Sequence, residues 1–196
     1  MLTSIHPLGE RGRGNRFAVT ATAYVTGSLG GGALTGIVAA TIGALLLSNV
    51  SVAWRAGAFA VAAVVALVID FRRIRPPSWR RQVNEDWLAE YRGWVYGLGF
   101  GFQLGLGVVT IVTSAVVYLA FFGAFLTAAP AAGVLVGVAF GSARALPLLG
   151  VGRVETPNAL RAVHGRVTRL DGLARRVTVA VELTAGLLLL LVAMGR

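Results

Sequence analysis

Few residues in this chain are of types that do chemistry. Arg144 and Glu182 are charged yet lie inside long apolar stretches, 131–149 and 177–195. Each stands roughly 7–8 Å from the same end of its stretch if the helices are upright. Charges at such depth cost a few kcal/mol on insertion scales, so they pair or face a cavity. Two arrangements are open: an Arg144–Glu182 pair, or Arg144 reaching the interface alone. Gln103, with Thr35, Thr41, Thr110 and Thr113, offers the makings of a polar path, although an isolated helical Thr commonly bonds its own backbone. His6 and His164 have no acidic cluster at ligand spacing, so no metal site is expected. Cysteine is absent, which removes thiol catalysis, disulfides and dithiol redox relays. No Ser/His/Asp grouping converges. The sequence predicts no catalytic residue, no cofactor and no enzyme activity.

The elements that carry these residues follow from composition. Of 196 residues, 56% are hydrophobic and 13% charged, with mean hydropathy +0.75. A soluble domain is nearer a quarter charged, which excludes a disordered chain and leaves too few charges for a nucleic-acid surface. No charge interrupts Phe17–Ala53 or Val95–Ala143. A bilayer core needs about 20 apolar residues per helix, so the second run holds two crossings, turning at Pro130 and Ala131. The fold class is therefore all-α: a polytopic integral membrane protein, one domain over 1–196. It has about five transmembrane helices, near 18–47, 52–70, 96–126, 131–149 and 177–195.

All 18 basic residues are Arg, against 8 acids, giving net charge +10. Fifteen of those Arg fall in the N-terminus 1–16 and the loops 71–95 and 150–176. The positive-inside rule places these three segments in the cytoplasm and the C-terminus outside, in a bacterial inner membrane. The N-terminus reads as an uncleaved signal anchor. Within the loops, 79–95 and 156–177 carry apolar residues at helical spacing, which predicts two amphipathic interfacial helices. The second begins at Thr156-Pro157 and can run on into the last span. Expected partners are the bilayer, anionic lipid at the basic loops, and another membrane protein or a second copy of the chain.

The 26 glycines are patterned. Ser28, Gly32, Gly36 and Ala40 recur every fourth residue, as do Gly97, Gly101 and Gly105, and Gly133, Gly137 and Gly141. Small residues at this interval let membrane helices pack closely. Shifting by 69, from Ser28 to Gly97, also pairs Leu29 with Leu98, Thr41 with Thr110 and Ile42 with Ile111. Two related helical hairpins in parallel repeat follow. The third stretch would be about 48 Å long as one helix, against a core of roughly 30 Å. Either it projects or tilts, or its glycine-rich start is unwound and walls a site.

The run Tyr96-Gly97-Leu98-Gly99-Phe100-Gly101-Phe102-Gln103-Leu104-Gly105 resembles a glycine-rich helix of the cytochrome c biogenesis and DsbD-type transmembrane family. Small exporters of the TauE/SafE type are similar in glycine content and repetition. The redox cysteine pair of the DsbD type has no counterpart, so the resemblance does not carry that activity. Two functions are expected: a non-catalytic subunit or assembly partner of a membrane complex, or a small transporter of a polar or anionic solute using the repeat and Arg144.

Overall fold

The computed structural model describes residues 5–78, 86–107, 112–152 and 154–194, all helical or connecting, with no strand among them. In chain order the helices are α1 (Pro7–Gly12), α2 (Phe17–Leu46), α3 (Val52–Phe71), α4 (Trp87–Glu90), α5 (Gly93–Leu106), α6 (Val116–Thr127), α7 (Pro130–Gly150) and α8 (Pro157–Met194). Among the described residues, α2, α3 and α7 are long and apolar enough to cross a membrane. Their starts are set locally. Ser51 Oγ accepts the Trp54 N–H at the head of α3, and Pro130 and Pro157 occupy first turns where their missing N–H costs nothing.

Helix α2 is the centre of the bundle. Helix α5 runs beside its first half in the same direction, with Thr20 against Gly97, Tyr24 against Gly101 and Ser28 against Gly105. Helix α7 runs antiparallel along the middle, with Ser28 against Gly141, Gly32 against Gly137 and Gly36 against Gly133. Farther along, Gly43 meets Phe125 of α6. At these glycines the neighbouring backbone lies where a Cβ would be, so only glycine admits the approach. Close backbones gain dispersion contacts, which in lipid must replace the hydrophobic drive. Ser28 adds a hydrogen bond to the Gly141 carbonyl at 2.8 Å. Helix α3 lies outside this core against α6, and α8 packs along α3.

The third apolar stretch departs from the single helix expected over 96–126. Residues 97–105 are helical, not unwound, and α5 ends at Leu106. Gly107 then takes φ +74°, a left-handed conformation that suits glycine, and helix resumes at Val116. Thr110 lies outside the described residues. The turn before α7 also differs: it is made by Ala128, at φ +51°, and Ala129, while Pro130 already belongs to the helix. Of the amphipathic helix expected over 79–95, residues 79–85 lie outside the described residues. The remainder is broken, with α4 followed by extended Tyr91 and Arg92. Trp87 folds back onto α5, stacking on Phe100 at 6.0 Å, and this contact replaces a continuous stripe. The helix expected over 156–177 is present as the first half of α8, which continues unbroken to Met194. Thr156 Oγ1 caps it by accepting the Ala159 N–H at 3.2 Å.

Candidate functional site

A polar recess lies where α3 ends. Asp70 accepts the Ser114 hydroxyl at 2.5 Å and the Ala115 N–H at 2.9 Å, so its carboxylate closes the N-terminus of α6. Negative charge there complements the helix dipole. At the other end of α6, the Arg55 guanidinium donates to the carbonyls of Leu126 and Thr127 at 3.3 and 3.1 Å. Beside Asp70 opens a cavity of 680 Å³, lined by Arg73, Arg75, Ser114, Arg175 and Arg176 among others. Arg175 donates to the Phe71 carbonyl at 2.6 Å, tying α8 to the end of α3. One helical turn past Thr178 of that wall, Glu182 is 1% exposed.

Arg144 and Glu182 are not brought together. Glu182 faces α3, where its charged neighbour is Asp70. Arg144 lies with its guanidinium 5.8 Å from the Phe140 ring and near Tyr24. The reason is azimuth: α8 packs on α3, while α7 packs on α2. Equal depth along two helices says nothing of which faces meet. Gln103 is half-buried on α5. Thr35 bonds the Gly31 and Leu106 carbonyls at 3.1 and 3.3 Å, while Thr41 and Thr113 are exposed. Among the described residues, the polar groups named from sequence do not converge on one point.

A second polar cluster escaped sequence reasoning. Glu10 of α1 is fully buried at the arginine-rich end of the bundle. Its carboxylate accepts from Tyr96 Oη at 2.5 Å, Thr20 Oγ1 at 2.8 Å and Arg13 at 2.6 Å. Asn15 donates to Tyr96 Oη and accepts from the Gly93 N–H, both at 3.2 Å. Burial opposes the Arg13 charge, but Glu10 and Tyr96 outweigh it and hold its pKa above the ordinary value. His6 caps α1 through Nδ1, which accepts the Gly9 N–H at 3.1 Å. Burial, then the charge of Arg13, push the His6 pKa down, with Glu10 opposing. The network pins residues 5–15 onto α2 and α5, helped by Leu8 N–H to the Val154 carbonyl and an Arg11–Glu155 pair at 2.9 Å. Pro7 at a helix start and Glu10 three before Arg13 were its available sequence signals.

Among the described residues, no group of His, Cys, Asp and Glu is placed to hold a metal ion. What the arrangement offers is a guanidinium-lined recess, two helix-end caps and a buried polar latch.

Compared with known proteins, the chain is similar to the methylamine utilization protein MauF of Paracoccus versutus, 31% identical over 156 residues. That match covers 74% of this chain and 56% of the relative. It is also similar to MauF of Methylorubrum extorquens, 29% identical over 161 residues, 80% of this chain and 55% of the relative. The chain thus spans about half the length of these curated relatives. No protein-family model and no solved structure matches it.

Proposed function

We propose that the protein is a non-catalytic integral membrane subunit or assembly partner of a larger membrane complex, and that it serves methylamine utilisation. The second half of the proposal is supported by the similarity to two methylamine utilization proteins. The observation that carries the first half is how three polar residues of the apolar helices are engaged. Ser28, Arg55 and Asp70 each bond backbone of a neighbouring segment. These are architectural contacts.

In this reading α2, α3 and α7 cross the membrane, α5 and α6 together make an interrupted crossing, and the apolar second half of α8 makes a fifth. The arginine-rich end, with α1, the 71–95 connection and the start of α8, faces the cytoplasm, and the C-terminus faces outside. The basic loops touch anionic lipid. Leu187, Leu188 and Leu191 of α8 are exposed and face lipid or the partner.

A transporter of a polar or anionic solute, built on the two-hairpin repeat, is the second reading. It draws on the interruption after Gly107 and the neighbouring recess. Interrupted membrane helices at repeat interfaces are a common construction in transporters. Purification in mild detergent separates the two. A stoichiometric partner protein, with no solute flux after reconstitution into liposomes, is the result expected. A homo-oligomer that moves solute into liposomes overturns the subunit reading.

A further inference from the structure

The recess at the end of α3 contains more positive charge than the fold uses. Arg73, Arg75, Arg175 and Arg176 line it, from two elements that lie far apart in sequence. Arg175 is tied to the Phe71 carbonyl. Among the described residues, no carboxylate forms an ion pair with Arg73, Arg75 or Arg176. Asp70 also lines the recess, but its two oxygens are taken by Ser114 and Ala115. Among the described residues, three guanidinium groups therefore border the cavity without an ion pair, against the single carboxylate of Asp70.

The backbone supplies an independent observation. Arg73 sits at φ +56°, in the left-handed region just past the end of α3. That position suits glycine, and a side chain with a Cβ is strained there. An arginine placed where glycine would fit better lines the recess nonetheless. Strain of this kind persists where the side chain serves a purpose.

The walls are amphipathic, since Phe71, Ile74 and Val179 stand beside the guanidinium groups. A cavity of 680 Å³ falls within the range of small-molecule sites. Planar guanidinium donors match phosphate oxygens bidentately, and an apolar wall suits the carbon skeleton attached to the phosphate.

We propose that the recess between the end of α3 and residues 172–179 of α8 is a binding site for a phosphate ester. The ligand is either the headgroup of an anionic phospholipid or a soluble phosphate ester of similar size. Its phosphate is held by Arg73, Arg75 and Arg176. The site is independent of whether the chain is a subunit or a transporter.

The test uses the full chain in detergent, with phospholipid adducts counted by native mass spectrometry. Probes are a short-chain phosphatidylglycerol, the matching phosphatidylcholine, and glycerol phosphate as competitor. One saturable phosphatidylglycerol adduct is expected, absent with phosphatidylcholine. Arg73→Gly should weaken it by about tenfold or more while leaving thermal stability equal or higher, because the φ strain is relieved. Arg176→Gln, at an exposed position, should weaken it likewise and guards against a folding defect in the first variant. Displacement of the adduct by millimolar glycerol phosphate assigns the site to a soluble ester; resistance to it assigns the site to lipid. Equal binding of both lipids, or wild-type phosphatidylglycerol binding in both variants, overturns the proposal.

Discussion

Asp70 and Arg55, about four turns apart on α3, close opposite ends of α6: Asp70 accepts the Ala115 N–H, and Arg55 donates to the Leu126 and Thr127 carbonyls. One helix thus satisfies both ends of its neighbour, with charges whose signs match the dipole. In an apolar surrounding, unsatisfied helix-end groups are expensive. Asp70→Ala and Arg55→Ala should each destabilise by about 1–3 kcal/mol, or roughly 2–9 °C in melting temperature for a chain of this size. Melting in detergent checks this. An unchanged midpoint for both variants contradicts the clamp.

The glycine faces make a sharper prediction because the structure supplies an internal control. A Cβ at Gly101 would collide with the Tyr24 carbonyl oxygen, and one at Gly137 with that of Gly32. At Gly30 there is nothing within 4 Å. Gly101→Ala and Gly137→Ala should therefore lose several kcal/mol, and Gly137→Leu more. Gly30→Ala should be neutral or stabilising by up to about 1 kcal/mol, from better helix propensity and a less free unfolded chain. Denaturation of the three alanine variants in one detergent is enough to compare them.

Acid should loosen the N-terminal latch through His6. Its pKa in the folded chain lies below the ordinary histidine value of 6.5, chiefly because it is buried and then because Arg13 is near. The unfolded chain therefore binds the proton more readily. This contribution to stability is full above pH 6.5 and falls as the pH drops through that value toward the folded pKa. Protonation also removes the Nδ1 acceptor that caps Gly9. Proteolysis within residues 5–15 should quicken between about pH 7.5 and pH 5.5. His6→Asn keeps a capping acceptor without the titration, and should flatten that dependence. A wild-type profile already flat sinks the argument.

Tyr96 and Glu10 test the same latch by deletion. Tyr96→Phe removes one of three donors to a fully buried carboxylate. A loss of about 1–3 kcal/mol is expected. Glu10→Ala should expose α1 to protease while α2 and α7 stay packed through their glycines.

The sequence and the structure agree best where the signal is a long run or a period. The stretches expected as helices near 18–47, 52–70 and 131–149 become α2, α3 and α7 to within a few residues, and the Thr156-Pro157 start of α8 follows from capping chemistry. Four relationships were hidden, each for a physical reason. The break in 96–126 turns on the φ of Gly107, one glycine among many of ordinary helical shape. The separation of Arg144 from Glu182 depends on which helix faces meet, whereas spacing reports depth alone. The capping roles of Asp70 and Arg55 leave no mark in the sequence, because nothing local announces that their partners are the ends of a helix far along the chain. Glu10 lay in a polar N-terminus that gave no sign of being buried.

The central claim is that the protein acts through its packing faces and not through polar chemistry inside the bundle. Growth on methylamine of a strain lacking the gene, complemented by variants, tests it most directly. Glu182→Gln, Arg144→Gln and Gln103→Leu should restore growth when inserted at wild-type levels. Loss of growth with Glu182→Gln or Arg144→Gln, in a protein that is present and melts normally, would contradict the account.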